Sequence, residues 1–328
     1  MTKIRPPTHA GTWYSANHDT LSKQLTKYFS KAPKFERGAR VIVGPHAGYT
    51  YCGERLAESY SVWDLTNTKC VFILGPSHHV YFKDKVLVSQ YDAYETPLGN
   101  IKVNTGIRDA LIGLGKGCGF EKMSESVEDD EHLFEMHLPF LAWRCKQDQV
   151  SPPKIVPIMF SSLSEKACEK VIAALLPYFS DDSYTFIVLS DFCHWGKRFG
   201  YTEYVASGDL DDLVPFHESD DRSVPIYESI KFLDQSAMLI ASEGSLEKWS
   251  RYIKETGNTI CGQKPINVVL KLIEELQRSG GRTASSTVFE WIGYSQSGKA
   301  IKYSDSSVSY ASGYVRLLPS ANTSVVKG

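Results

Sequence analysis

Histidines follow three of the apolar runs in this sequence. The pairs of run and histidine are 41–44 with His46, 71–75 with His78 and His79, and 186–190 with His194. Neutral imidazole is the commonest side-chain ligand for metal ions and also the usual acid–base group near neutral pH. Glycine or proline beside each histidine indicates tight turns that direct the side chains. The pattern predicts a site for metal binding or proton transfer.

Cys261 is the other candidate for chemistry. It lies shortly before Pro265, which stands where a first-turn proline belongs in a helix. A helix N-terminus stabilises a thiolate, and the thiolate is the form of cysteine that binds metals or attacks electrophiles. The alternative is a small buried apolar residue, as most lone cysteines are.

An acidic stretch, residues 121–131, precedes two further histidines. We expect this stretch to be a surface loop that enters a helix at about Leu133. His132 and His137 do not share a helical face, because helical neighbours are three or four residues apart, so the His-Glu-x-x-His zinc motif is excluded. His132 and Glu135 can share a face, which leaves a role beside the substrate and a solvated or capping role both open.

Four short apolar runs without alternation predict buried parallel strands, and they lie at residues 41–44, 71–75, 155–160 and 186–190. Helical patterns separate or follow them, at 165–178, 225–242, 245 to about 257, and from 265 onward. Two alternating runs, 287–294 and 307–317, predict antiparallel strands. The fold class is therefore α/β, with a layered, mostly parallel or mixed sheet flanked by helices. Ligands of such sheets bind at the carboxyl ends of the strands, where the histidines are expected to converge.

Length and composition limit the classes of protein. We expect the 328 residues to form a single α/β domain, with a frayed tail over about 319–328. A net charge of −2 gives no reason to expect nucleic acid as a partner. No apolar run is long enough to predict membrane insertion. Seven cysteines without a Cys-x-x-Cys pair indicate free thiols and a cytoplasmic location.

Several blocks of the sequence resemble the signature blocks of the Memo family (mediator of receptor-driven cell motility). They occur in the family's order, at residues 45–51, 74–79, 135–139, 190–196 and 258–262, with 9–14 and 305–310 matching the two ends. The resemblance covers nearly the whole chain. It implies a fold similar to that of class III extradiol dioxygenases, which cleave aromatic rings with non-haem iron.

The resemblance also implies a set of functional residues. His46, His78 and Cys261 correspond to ligands of copper or iron(II), with zinc less favoured. Asp191 and His194 correspond to further positions in the pocket, for which we expect catalytic roles. The remaining expected pocket residues, which would contact a substrate or peptide, are Trp13, Tyr51, His79, His137 and Trp195.

The candidate residues and the family resemblance leave three functions open. The first is a copper- or iron-dependent redox protein that reacts with oxygen and is linked to cell motility or growth signalling. The second is a non-catalytic adaptor that binds a phosphotyrosine peptide of a signalling protein, in the cytoplasm or also in the nucleus. The third is zinc-dependent hydrolysis, which needs three ligands and an open position. Extradiol enzymes use two histidines and one carboxylate, whereas Cys261 stands at the third position here, and thiolate shifts the preference toward copper or zinc.

Overall fold

The computed structural model describes residues 2–115, 119–217, 223–279, 282–284 and 288–319. Short 3₁₀ turns occupy Lys197–Phe199 and Leu210–Asp212. The α-helices of the described residues are α1 His18–Phe29, α2 Tyr49–Val62, α3 Thr105–Gly113, α4 Glu125–Asp130, α5 Leu133–Gln147, α6 Glu165–Phe179, α7 Ile226–Ser242, α8 Leu246–Thr256 and α9 Gln263–Arg278.

The strands form a large mixed sheet and two small ones. In chain order they are β1 Ile4–Arg5, β2 Ala39–Gly44, β3 Cys70–Pro76, β4 Val86–Val88, β5 Ala93–Tyr94, β6 Ile101–Lys102, β7 Phe120–Lys122, β8 Lys154–Phe160, β9 Tyr184–Leu189, β10 Asp191–Trp195, β11 Glu203–Tyr204, β12 Val214–Pro215, β13 Arg282–Ala284, β14 Glu290–Gln296 and β15 Ser307–Pro319. The large sheet has the order β10-β15-β2-β9-β3-β8-β4-β7, and β13 and β14 also pair with β15.

Helices cover both faces of the large sheet, because its central strands bury side chains on both sides. Val41 and Val43 of β2 pack into a core with side chains of α6 and α9. Ile42, between them, packs on the opposite face with side chains of α2 and α5. Strands buried on both faces need continuous apolar runs, and this explains why the four runs do not alternate.

The predicted strands and helices are present in the structure. The four apolar runs form the parallel strands β2, β9, β3 and β8 at the centre of the sheet. The two alternating runs form β14 and β15, which pair in antiparallel fashion. The α/β class is therefore confirmed. The single domain and the dioxygenase-like fold stay predictions, and the expected tail lies outside the described residues after Pro319.

The acidic stretch at residues 121–131 is not a surface loop, so this prediction was wrong. It contains the end of β7 and the short helix α4, which is capped by Ser124, whose side chain accepts from the amide of Val127. Glu128 and Glu131 are buried, at 0% and 1% exposure. Arg5 stabilises this segment by donating hydrogen bonds to the backbone carbonyl oxygens of both residues. Acidic composition predicted solvent exposure, whereas a distant guanidinium makes burial possible.

Candidate metal centre

The histidines that follow β2 and β3 meet the Cys261 turn at the carboxyl edge of the sheet. Both strands run parallel to β9, so their carboxyl ends lie on the same side. His46 and His78 each follow the end of their strand by two residues, and His46 is buried. Cys261 immediately precedes the N-cap of α9. Gly262 lets this turn approach the end of β9 closely, since a Cβ at Gly262 would lie 2.7 Å from the carbonyl oxygen of Leu189.

Three donor atoms converge at this edge. The Nε2 atom of His46 lies 3.3 Å from Nε2 of His78 and 3.5 Å from Sγ of Cys261. One donor atom from each of the three residues lies within 4.8 Å of the other two. The backbone amide of Asp191 donates to the Cys261 sulfur at 3.2 Å, which orients the side chain toward the two histidines. We call His46, His78 and Cys261 the inner triad.

The spacing of the inner triad fits a small metal ion. A tetrahedral site with metal–nitrogen distances of about 2.0–2.1 Å and metal–sulfur distances of about 2.3 Å separates neighbouring ligand atoms by about 3.3–3.6 Å. The two measured separations, 3.3 Å and 3.5 Å, agree with this expectation. Two imidazoles and a thiolate form a donor set that suits copper, and imidazole also suits iron and zinc.

Burial keeps His46 and Cys261 of the inner triad neutral when no metal ion is bound. Burial lowers the pKa of His46 well below its usual range, and the neighbouring His78 lowers it further. Burial raises the pKa of the Cys261 thiol well above its usual range, and the Asp191 carboxyl adds to this effect. A metal ion binds the thiolate, so binding must release the thiol proton, and the affinity is expected to fall as the pH falls.

Glu131 holds His78 in place from behind. Its Oε1 accepts a hydrogen bond from Nδ1 of His78 at 2.9 Å, and its Oε2 accepts one from the His78 backbone amide at 2.9 Å. This pair of bonds directs Nε2 of His78 toward the inner triad. Although burial would raise the pKa of the Glu131 carboxyl, the hydrogen bond and charge of His78 outweigh burial and lower it. Glu131 is therefore an ionised carboxylate next to the candidate metal position.

Asp191 and His194 both lie on β10, beside the inner triad. The Oδ1 atom of Asp191 accepts the backbone amide of His46 at 2.9 Å, and burial raises the pKa of the Asp191 carboxyl. The Nδ1 atom of His194 lies 3.0 Å from the carbonyl oxygen of Thr259. Because a carbonyl only accepts, Nδ1 carries the proton and Nε2 is left to accept one. Asp191 thus positions the His46 turn, and His194 can take up a proton.

Trp13 and Tyr51 form an exposed aromatic rim next to the turn that carries His46. Trp13 is 38% exposed and Tyr51 is 60% exposed. A Cβ at Gly48 would lie 3.5 Å from the carbonyl oxygen of Trp13 and 3.9 Å from Cδ2 of Tyr51, so both residues flank this turn. His79 is also exposed, and its ring lies 6.5 Å from the ring of His78 between centroids. These three residues are available to a ligand that approaches from solvent.

His137 and Trp195 do not lie at this cleft. His137 is fully buried, with Nδ1 3.1 Å from the Tyr60 hydroxyl and Nε2 2.9 Å from the carbonyl oxygen of Pro45. It supports the His46 turn from the protein interior. Trp195 is fully buried in a separate hydrophobic cluster and donates from Nε1 to the carbonyl oxygen of Glu203 at 2.9 Å. Full burial leaves neither side chain a surface for contact with a substrate or peptide.

His132 belongs to the site, although the sequence left its role open. Its ring stacks on that of His78 at 4.8 Å between centroids and lies 5.6 Å from that of His46. Burial, with a contribution from His78, lowers the pKa of His132 to about 4, so the imidazole is neutral at pH 7. The sequence offers one signal for the ordered segment before His132, namely Ser124. This serine caps helix α4 where a loop was expected.

The fold and the site define an α/β protein with a histidine- and cysteine-lined centre at the carboxyl edge of its sheet. The family model described as Memo-like protein matches residues 5–314. MEMO1 family protein MHO1 of Saccharomyces cerevisiae is 42% identical, over 96% of this chain and 99% of the relative. Protein MEMO1 of Homo sapiens is 38% identical, over 94% of this chain and 96% of the relative. This chain belongs to the Memo-like family.

One further finding concerns membranes. Among the helices that the structure describes, none combines the length and the apolar character needed to cross a bilayer.

Proposed function

We propose that this protein is a copper- or iron-dependent redox protein that reacts with oxygen at the inner triad and acts in motility or growth signalling. The observation that carries this proposal is the approach of His46 Nε2 to within 3.3 Å of His78 and 3.5 Å of Cys261. A bound copper or iron ion would supply one-electron chemistry with oxygen. The thiolate favours copper as the ion.

The surrounding residues have separate tasks in this proposal. Glu131 fixes the ring of His78 and supplies negative charge that offsets the charge of a bound cation. The carboxylate of Asp191 accepts from the backbone amide of His46 and so holds the His46 turn. The backbone amide of Asp191 donates to the sulfur of Cys261. His194 accepts or delivers protons at Nε2, because Thr259 occupies its Nδ1. A histidine whose second ring nitrogen is left to accept a proton is suited to proton transfer.

The test begins with metal content and ends with oxygen chemistry. Purified protein is loaded with Cu⁺ or Fe²⁺, and bound metal is counted by mass spectrometry. Peroxide and superoxide are then measured with ascorbate as the electron donor and oxygen as the acceptor. We expect one metal ion in the inner triad and many turnovers per chain, with at least a tenfold loss of both metal affinity and turnover in Cys261→Ser or His46→Ala, since each removes a ligand.

Matched variants serve as controls. Cys168→Ser changes another partly buried cysteine, which lies on α6, and His79→Ala changes the exposed neighbour of His78. Cys168→Ser is expected to keep metal and turnover, and His79→Ala is expected to keep metal. His194→Ala should lower turnover more than metal affinity, because a proton carrier acts on the reaction. Unchanged metal binding in both ligand variants, or oxidation of Cys261 after a single turnover, would contradict the redox function.

The aromatic rim favours a second candidate, an adaptor that binds a phosphotyrosine peptide at the same cleft. Trp13 and Tyr51 expose large rings beside the His46 turn, and such rings pack well against a peptide side chain. Binding of a labelled phosphotyrosine peptide would be measured for wild type, Trp13→Ala and Tyr51→Ala. Loss of binding in both variants, with no oxygen turnover in the wild type, would assign the adaptor function. Tyr81→Ala, which removes another highly exposed ring, is the matched control.

A further inference from the structure

A second group of donor atoms lies beside the inner triad and shares one residue with it. One donor atom each of His78, Glu131 and His132 lies within 4.8 Å of the other two. The Oε1 atom of Glu131 is 2.9 Å from Nδ1 of His78 and 3.4 Å from Nδ1 of His132. We call these three residues the outer triad.

The two triads use opposite nitrogens of His78. Its Nε2 faces His46 at 3.3 Å, and its Nδ1 faces Glu131 at 2.9 Å. Either ring nitrogen of a histidine can bind a metal ion. An ion in the outer triad therefore does not compete with the inner triad for a donor atom. If both were filled, the Nδ1 proton of His78 would pass to solvent and each ring nitrogen would hold one ion.

The donor chemistry of the two triads differs. The inner triad contains a sulfur atom, whereas the outer triad consists of two imidazoles and one carboxylate. Two histidines and one carboxylate form the ligand set typical of non-haem iron(II), and they also suit zinc. We propose that the outer triad is a second metal site of this protein, which binds a divalent cation such as Zn²⁺ or Fe²⁺ next to the softer inner triad.

The surroundings hold the outer triad ready for a cation. Arg5 donates from Nη2 to the carbonyl oxygen of Glu131 at 2.8 Å, and the amide of His78 fixes the second carboxylate oxygen at 2.9 Å. The carboxylate is thereby held between the two rings. The side chains of His78 and His132 keep 25% and 14% of their surface exposed, whereas His46 keeps 1%. A cation can therefore reach the outer triad from solvent.

If Glu131 only orients His78, replacing His132 should not change the number of bound metal ions, whereas a second metal site predicts that it does. Orientation involves only the hydrogen bond between these two residues, so the loss of the His132 ring would leave the number of bound ions unchanged. A metal site instead loses one of its three ligands in His132→Ala. The count of bound ions therefore separates the two roles, and it does so without any measurement of activity.

The experiment is a titration of metal-free protein with Zn²⁺ and with Co²⁺. We expect wild type to bind two Zn²⁺ ions per chain and His132→Ala and His132→Gln to bind one. Cobalt bound by a thiolate gives a sulfur-to-metal charge-transfer band in the near ultraviolet, which reports on the inner triad alone. That band should persist in both His132 variants and disappear in Cys261→Ser, which should keep the outer ion. His18→Ala is the matched control, because His18 pairs with Asp19 at 2.8 Å on the surface.

The possible results separate this proposal from the redox function. Absence of the charge-transfer band in wild type would contradict metal binding at the inner triad, while the ion lost in His132→Ala would still support the outer triad. A wild type that binds no ion besides the one that gives the band, an unchanged number of bound ions in both His132 variants, or loss of the band in those variants would overturn the second site. Circular dichroism identifies any variant that has lost its fold, and the glutamine variant keeps most of the side-chain volume.

Discussion

Two sides of the candidate metal centre bury carboxylates under opposite electrostatic conditions. On the Glu131 side, Glu135 is bound by Arg5 at 2.7 Å and by the His9 ring at 3.1 Å. Although burial opposes it, hydrogen bonds from His9 and Arg5 lower the pKa of Glu135 to about 2. On the Asp191 side, burial raises the pKa of Asp234 to about 6.

The difference comes from the partners of each carboxylate. Glu135 has a guanidinium beside it, whereas Asp234 accepts hydrogen bonds from neutral groups, the amide of Cys193 at 3.1 Å, the Asn258 side chain at 3.4 Å and the Tyr294 hydroxyl at 2.9 Å. Neutral donors do not fully offset the loss of water around a charge. Glu135 is therefore ionised across the neutral and mildly acidic range, whereas Asp234 becomes neutral as the pH falls below about 6.

The largest expected effect on stability comes from replacing Arg5, because the buried Glu135 carboxylate depends on this one guanidinium. Arg5→Ala leaves the Glu135 carboxylate, itself 1% exposed, without its cationic partner. Breaking such a buried pair costs about 3–5 kcal/mol in the free energy of unfolding. Urea denaturation at pH 7 measures it. Lys3→Ala is the control, because the Lys3–Glu125 pair is exposed and should contribute less than about 1 kcal/mol. Equal losses in the two variants would contradict the assigned role of Arg5.

The second prediction uses pH to separate the two sides. The pKa of Asp234 is raised in the folded state, so this group binds more protons when folded, and its own contribution to stability falls by about 3 kcal/mol as the pH rises from about 4 to about 6. The pKa of Glu135 is lowered, so its contribution is complete above about 4.5 and is lost as the pH falls toward about 2. The free energy of unfolding is measured from pH 3 to pH 8.

Conservative variants test separately how Asp234 and Glu135 contribute to the pH dependence of stability. Asp234→Asn should remove this contribution, so its free energy of unfolding should increase more between pH 4 and pH 6 than that of wild type. The Tyr294 hydroxyl can rotate to accept from the new amide. Glu135→Gln should instead flatten the loss of stability below about pH 4.5. An unchanged slope between pH 4 and pH 6 in Asp234→Asn would show that Asp234 is ionised in the folded protein at acidic pH.

The smallest expected effects on stability come from removing the hydroxyls of two tyrosines. Each hydroxyl donates to one of the two carboxylates, at the same distance. Tyr14 donates to Glu135 at 2.9 Å, and Tyr294 donates to Asp234 at 2.9 Å. Hydrogen bonds to a charged acceptor contribute about 1.5–3 kcal/mol, and those between neutral groups about 0.5–1.5 kcal/mol. At pH 5 we expect Tyr14→Phe to cost about 2 kcal/mol and Tyr294→Phe about 1 kcal/mol, measured by urea denaturation. A larger loss in Tyr294→Phe would reverse the assignment of charge.

The sequence predicted the elements that carry the inner triad better than the residues around it. The apolar runs before His46 and His78 identified their strands, because a strand buried on both faces must be continuously apolar. The proline after Cys261 identified the start of α9. His137 and Trp195 were expected to line the pocket but do not lie at the cleft. Both are close in sequence to the site motifs, but closeness in sequence does not give the direction of a side chain. Both side chains point into the interior.

The sequence by itself determined that histidines and a cysteine stand at strand ends and before a helix, since periodicity and turn residues are local properties. Tertiary structure alone decided that Glu131 is buried and that His132 stacks on His78. The physical reason is that an ionised carboxylate can be buried only with compensating partners. One of them, His78, lies 53 residues before Glu131 and contacts its carboxylate through both the ring Nδ1 and the backbone amide. No pattern within the acidic stretch contains that partner, so local composition predicted a solvated loop where the fold forms one side of the candidate metal centre.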